Sequence, residues 1–104
     1  MSSRLDRRHV LITGAGGGIG LAMAQACLAE GARCSLIDRA IDAPAGVQAV
    51  QDAHPDAVAY IAADITRGSD IARLLDTAVA RFGPVHTLVN NAAVFDLAPL
   101  LESD

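Results

Sequence analysis

Short apolar runs alternate along this chain with longer stretches whose apolar positions recur three or four residues apart. Val10-Leu11-Ile12-Thr13 is one such run, closed by glycine, as expected for a strand buried on both faces. Arg33 to Asp38, Val58 to Ala63 and Val85 to Asn90 repeat the pattern and are predicted as strands two to four. The clearest helical pattern is Ile71, Leu74, Leu75, Ala78, Val79 and Phe82, spaced i, i+3, i+4, i+7, i+8 and i+11, with Ser69 as N-cap and Gly83-Pro84 as the stop. A first helix is predicted from near Gly18 to Glu30-Gly31-Ala32, with Ala22, Ala26 and Ala29 as the small residues lying close to the sheet. Ala40 to Ala53 reads as a weaker helix with Val47 and Val50 on its apolar side and His54-Pro55 as its end.

The resulting order β-α-β-α-β-α-β predicts an α/β fold of the Rossmann-like, doubly wound kind. It predicts a parallel sheet in the order 3-2-1-4 with right-handed crossovers, the first two helices on one face and the third on the other. A complete sheet of that type has further strands beyond the fourth, so residues 1–104 are expected to be the N-terminal part of one domain.

Composition narrows the picture. The chain has 104 residues, 52% hydrophobic and 19% charged, which suits one globular domain or part of one. A net charge of −4 without a basic cluster argues against nucleic-acid binding. The two cysteines, Cys27 and Cys34, form neither a disulfide framework nor a zinc motif and read as reduced thiols of a cytoplasmic protein. His9, read as a strand-edge residue, His54 and His86 are isolated, so no metal site is expected. Arg4, Arg7 and Arg8 precede an uncharged run from Val10 to Ala29, but its five glycines make a poor apolar span; neither a signal peptide nor a membrane helix is read there.

The candidate chemistry begins at Thr13-Gly14-Ala15-Gly16-Gly17-Gly18-Ile19-Gly20, where strand turns into helix. Backbone N–H groups at a helix N-terminus can bind a pyrophosphate if no Cβ obstructs the approach, and the helix dipole favours the negative charge. A P-loop would need Lys followed by Ser or Thr after the last glycine, which is not present. Glycines spaced i, i+2, i+5 also fail, since counting from Gly14 or Gly16 lands on Ile19 or Leu21. Asp38 ends strand two eighteen residues after Gly20, near the position from which a carboxylate accepts from ribose hydroxyls. That favours NAD, because a 2′-phosphate would meet a like charge; Arg39, able to contact such a phosphate or stack on adenine, leaves NADP use open.

With Thr13, Gly14, Gly18 and Gly20 in place, the loop resembles the Thr-Gly-x-x-x-Gly-x-Gly cofactor loop of the short-chain dehydrogenase/reductase family. Gly14, Gly17 and Gly20 equally satisfy the Gly-x-x-Gly-x-x-Gly spacing of its extended branch. Asn90-Asn91-Ala92-Ala93 matches the family's Asn-Asn-Ala-Gly in three positions and favours the classical branch; the stretch from Asn90 to Leu100 resembles bacterial sorbitol and related polyol dehydrogenases. The resemblance implies that Thr13, Gly14, Gly18, Ile19, Gly20 and Asp38 bind NAD. It further implies that Asp64 and the backbone of Ile65 meet the adenine, and that Asn90, Asn91 and Ala92 lie at the cofactor ribose and central sheet. A polyol or keto-sugar substrate and a homodimer or homotetramer are implied as well.

The family's catalytic Ser, Tyr, Lys and second Asn have no counterparts in residues 1–104. Tyr60, the sole tyrosine, falls in strand three, and the chain has no lysine. No catalytic residue is therefore assigned. Two functions remain open: the NAD-binding half of a polyol dehydrogenase, or a free-standing dinucleotide-binding module without catalysis. Strand four would leave such a module with an exposed apolar sheet edge, which disfavours it.

Overall fold

A computed structural model describes residues 6–91. Seven elements follow one another: β1 (His9–Thr13), α1 (Gly18–Ala29), β2 (Arg33–Asp38), α2 (Ala45–Ala53), β3 (Val58–Ala62), α3 (Gly68–Phe82) and β4 (Thr87–Asn90). The four strands form a parallel sheet in the order β3-β2-β1-β4, as the alternation of elements predicts. Val10 pairs with Cys34 on one side and Thr87 on the other, so β1 is central. All five of its residues are buried, which is why Val10-Leu11-Ile12 is apolar on both faces.

The helices divide between the two faces as expected. On one side Val10, Ile12, Cys34, Leu36 and Val58 pack with Ala24 of α1 and Val47 and Val50 of α2. On the other, Leu11, Ile37 and Ile61 pack with Leu74 and Ala78 of α3. Alternate residues of each strand thus feed two separate cores, as the pleat requires.

Expectations for the three helices and for one histidine are corrected. The first concerns α1, which sets Gly20 and Ala24 against the sheet, with Cys27 and Leu28 half-buried; Ala22, Ala26 and Ala29 are exposed. Gln25 is the helix's one polar side chain, so its sequence carries no amphipathic phase. In α3, Val79 is 45% exposed, although the rest of its predicted stripe is buried or half-buried. That helix starts at Gly68 after Arg67, without a side-chain cap, so Ser69 lies inside its first turn. The second helix is shorter than predicted, because Pro44 immediately precedes it and fits the start of a helix better than its interior.

His9 is the last correction: it is fully buried. Its Nδ1 lies 2.9 Å from the Gly83 carbonyl and its Nε2 2.7 Å from Ser35 Oγ, while its ring stands edge-on to Phe82. The neutral ring with the proton on Nδ1 satisfies both partners, Nε2 accepting from the Ser35 hydroxyl. Burial pushes its pKa below the ordinary value, the Gly83 carbonyl opposing that shift and His86 and Arg33 adding to it. The backbone continues the link, since His9 N–H donates to His86 Nδ1 and His86 N–H donates to the His9 carbonyl, each at 2.9 Å. Cys34 is also fully buried, and desolvation pushes its thiol up to about 12. Neither cysteine is in a disulfide.

Candidate functional site

The carboxyl ends of β1, β2 and β3 converge on an open cleft of about 250 Å³ lined by Gly14, Ile37, Asp38, Arg39, Ala63, Asp64, Ile65 and Thr66. A crevice at this end of a parallel sheet, flanking the strand at which the order reverses, is where such folds bind ligands. Gly14, Asp38, Asp64 and Ile65, all expected at a cofactor site, are thereby brought together.

The loop on one wall turns at Gly14, whose φ of +66° lies in the left-handed region that glycine tolerates. Gly17 N–H then donates to the Gly14 carbonyl at 3.2 Å, and Ala15 N–H donates to the Ile37 carbonyl at 3.0 Å, which ties the turn to β2. The helix that follows opens with the N–H groups of Gly18, Ile19 and Gly20, positions that have no intrahelical acceptor. Ile19 itself is 66% exposed.

The two glycines bracketing Ile19 differ physically. A Cβ on Gly20 would meet the Gly14 carbonyl oxygen at 2.6 Å, Ala15 Cα at 3.0 Å and Asn91 Nδ2 at 3.0 Å, so Gly20 lets α1 seat against β1. A Cβ on Gly18 would meet nothing within 4 Å. Among the described residues no contact calls for glycine there, whereas a pyrophosphate lying on the helix N-terminus would. The loop therefore fits a dinucleotide.

Asp38 faces this loop from the end of β2. Its Oδ2 accepts from Gly16 N–H at 2.7 Å and its Oδ1 from Arg39 N–H at 2.8 Å. Nothing in the sequence marked Gly16 as a partner of Asp38, since it is one of three consecutive glycines and fits no motif spacing. Asp64 is bound into its own turn, with Oδ1 accepting from Thr66 N–H at 3.0 Å and from Thr66 Oγ1 at 2.6 Å. Those two bonds hold its carboxyl below its usual pKa, with attraction from Arg39 and Arg67 adding to the effect.

On the far side of β1, Thr13 Oγ1 donates to Asn90 Oδ1 at 2.9 Å and accepts from Asn91 N–H at 3.2 Å. Asn91 Nδ2 reaches the Gly14 carbonyl at 3.5 Å. The paired asparagines thus clasp the carboxyl end of β1 and the start of the glycine loop. Ala92 lies outside the described residues. Tyr60 is removed from this group, its hydroxyl donating to the Ala40 carbonyl.

A family profile described as short chain dehydrogenase matches residues 8–104. The chain belongs to the short-chain dehydrogenase family. Among relatives of this family, the sorbitol dehydrogenase of Cereibacter sphaeroides is 43% identical over 99 residues, covering 95% of this chain and 38% of the relative. The galactitol 2-dehydrogenase of Agrobacterium fabrum is 40% identical over 97 residues, covering 93% and 37% respectively. The chain therefore spans under half the length of the short-chain dehydrogenases it matches.

Solved structures agree on the fold. A short-chain dehydrogenase/reductase of the glucose/ribitol dehydrogenase type from Brucella melitensis superposes with a TM-score of 0.78 at 32% identity, over 98% of this chain and 43% of that one. A 3-ketoacyl-(acyl-carrier-protein) reductase from the same organism, solved in complex with NADH, gives 0.71 at 36% identity over 81% and 33%. Short-chain dehydrogenases use a nicotinamide dinucleotide, and the cleft and open helix terminus are the parts of this chain suited to one.

Proposed function

We propose that residues 1–104 form the NAD-binding part of an oxidoreductase that converts a secondary alcohol of a polyol to a ketone. The observation that carries the choice of NAD is the Asp38 carboxylate, fixed at the cleft by two backbone N–H groups. Ribose hydroxyls are donors to such a group, whereas a 2′-phosphate would bring a second anion against it at a cost of several kcal/mol. Bound NAD supplies the hydride acceptor. This chain's share of the work is binding and orientation: the loop from Thr13 and Gly14 to the amides of Gly18, Ile19 and Gly20 for the pyrophosphate, Asp38 for the adenosine ribose, Asp64 and Ile65 for the adenine side, and Asn90, Asn91 and Ala92 for a cofactor ribose.

Likeness to sorbitol and galactitol dehydrogenases supports the polyol as substrate class. No side chain of residues 1–104 is assigned to proton or hydride transfer, so those groups come from elsewhere in the complete enzyme, which we take to be an oligomer.

Titrating the chain with NADH and NADPH, by nucleotide fluorescence, tests the cofactor reading. Wild type is expected to prefer NADH, and Asp38→Ala to cut that preference by about tenfold or more. An unchanged ratio would reject Asp38 as the selector. Polyol-dependent reduction of NAD by the product of the full reading frame tests the substrate class.

A further inference from the structure

The glycine loop and the carboxylate that ends β2 act as one device. We propose that Gly16 is a positioning residue for Asp38 and sets the discrimination between NAD and NADP through a single backbone hydrogen bond. The proposal rests on the assignment of Asp38 to the adenosine ribose and adds a second residue to it.

Asp38 receives one backbone N–H on each oxygen, from Gly16 at 2.7 Å and from Arg39 at 2.8 Å. An ionised carboxylate offers about four acceptor sites, so two remain, one on each oxygen, for a pair of vicinal hydroxyls. Because both donors belong to the main chain, the direction of those remaining sites is set without help from another flexible side chain. The Gly16 bond ties that direction to the loop in which Gly18, Ile19 and Gly20 present the pyrophosphate amides.

The need for glycine at position 16 has an identifiable source. Its φ lies outside the left-handed region, so alanine suits the backbone. A Cβ there would stand 2.5 Å from Asp38 Oδ2 and 3.3 Å from Asp38 Cγ, with Pro44 Cγ at 3.1 Å. Gly17, by contrast, has its nearest neighbour at 3.6 Å, and Gly18 has none within 4 Å. Of the three consecutive glycines, one answers to the carboxylate. In Gly16→Ala the carboxylate is the movable partner. It turns away, the Gly16 N–H loses its acceptor, the ribose loses its aligned acceptors, and a 2′-phosphate meets less opposing charge.

The test is a cycle of four full-length chains, wild type, Gly16→Ala, Asp38→Asn and the double variant, titrated with NADH and NADPH. Gly16→Ala is expected to lower the NADH preference about tenfold when Asp38 is intact and to change nothing further when combined with Asp38→Asn. Equal weakening of both nucleotides, or additive effects, would mean that alanine only distorts the loop, and would overturn the proposal. A silent Asp38→Asn removes the ribose assignment itself, whereas an effective Asp38→Asn with a silent Gly16→Ala removes only the role of Gly16. A wild-type chain that binds neither nucleotide removes both. Without nucleotide, the Gly16 amide proton should move upfield in Asp38→Asn; an amide indifferent to that substitution refutes the hydrogen bond.

Discussion

Gly18 and Gly20 lie two residues apart in the same loop, and alanine at each should fail differently. At Gly20 the added methyl meets the Gly14 carbonyl oxygen at 2.6 Å and Ala15 Cα at 3.0 Å, both backbone, with Asn91 Nδ2 also at 3.0 Å. Overpacking of this kind costs about 1–3 kcal/mol, and two immovable neighbours place it in the upper part of that range. Alanine's better helix propensity returns up to about 1 kcal/mol, leaving a net loss of about 2 kcal/mol. For a domain of this size that lowers the thermal midpoint by roughly 8–16 °C. At Gly18 the methyl has no neighbour within 4 Å, so stability should stay within about 0.5 kcal/mol of wild type while nucleotide affinity falls. Urea unfolding followed by far-UV circular dichroism measures the first quantity and NADH titration the second. A Gly20→Ala chain as stable as wild type, or a Gly18→Ala chain that binds NADH undiminished, would refute the division of these glycines into packing and ligand roles.

Three further outcomes are expected. Thr13→Val removes the hydroxyl shared by Asn90 Oδ1 and the Asn91 N–H, and should cost about 1–2 kcal/mol in urea unfolding, whereas Thr13→Ser should restore most of it; equal losses in the two would exclude the hydroxyl as the cause. Because burial lowers the pKa of His9 in the fold, its contribution is fully present above the unfolded value of 6.5 and is lost as pH falls below it, by at most about 1.4 kcal/mol per pH unit. The Asp64 carboxyl, whose pKa is lowered from 3.8, contributes stability that is lost only at more acid pH, so unfolding midpoints between pH 7 and 5 should slope in wild type and flatten in His9→Gln; parallel slopes would contradict the assignment. Cys34, with its thiol pushed up to about 12, should resist alkylation at pH 8 until the chain is unfolded, and rapid labelling of the native chain would disprove its burial.

Strand positions were legible in the sequence because both faces of β1 and β2 are buried, which leaves short runs dominated by apolar residues, with Ser35 the one polar residue inside β2. Strand order followed from alternation and handedness together with the doubly wound topology of nucleotide-binding sheets. The placement of Asp38 beside the loop was legible for the same reason, since a residue at the end of β2 must emerge at the carboxyl edge of the sheet. Other features depend on partners distant in the chain. His9 looks like a polar strand end until Ser35 and Gly83 are brought against it, and Gly16 looks like filler until Asp38 arrives. The orientation of α1 could not be read because a helix whose one polar side chain is Gln25 has no polar face to mark its outside. Gly18 and Gly20 share a motif, yet only packing reveals that one accommodates the protein and the other is open.

The reciprocal bonds between His9 and His86 have a consequence for register. β4 has only four residues, and a slide of two along β1 would keep every side chain on its proper face. Such a slide is blocked at both extremities, by the His9–His86 exchange at one end and the Thr13–Asn90 bond at the other. A strand of that length spans roughly 13 Å. The height at which Asn90 and Asn91 stand beside the glycine loop is therefore fixed partly from the opposite end of the sheet, so an exchange of the imidazole at His86 would be felt as misalignment at the mouth of the cleft.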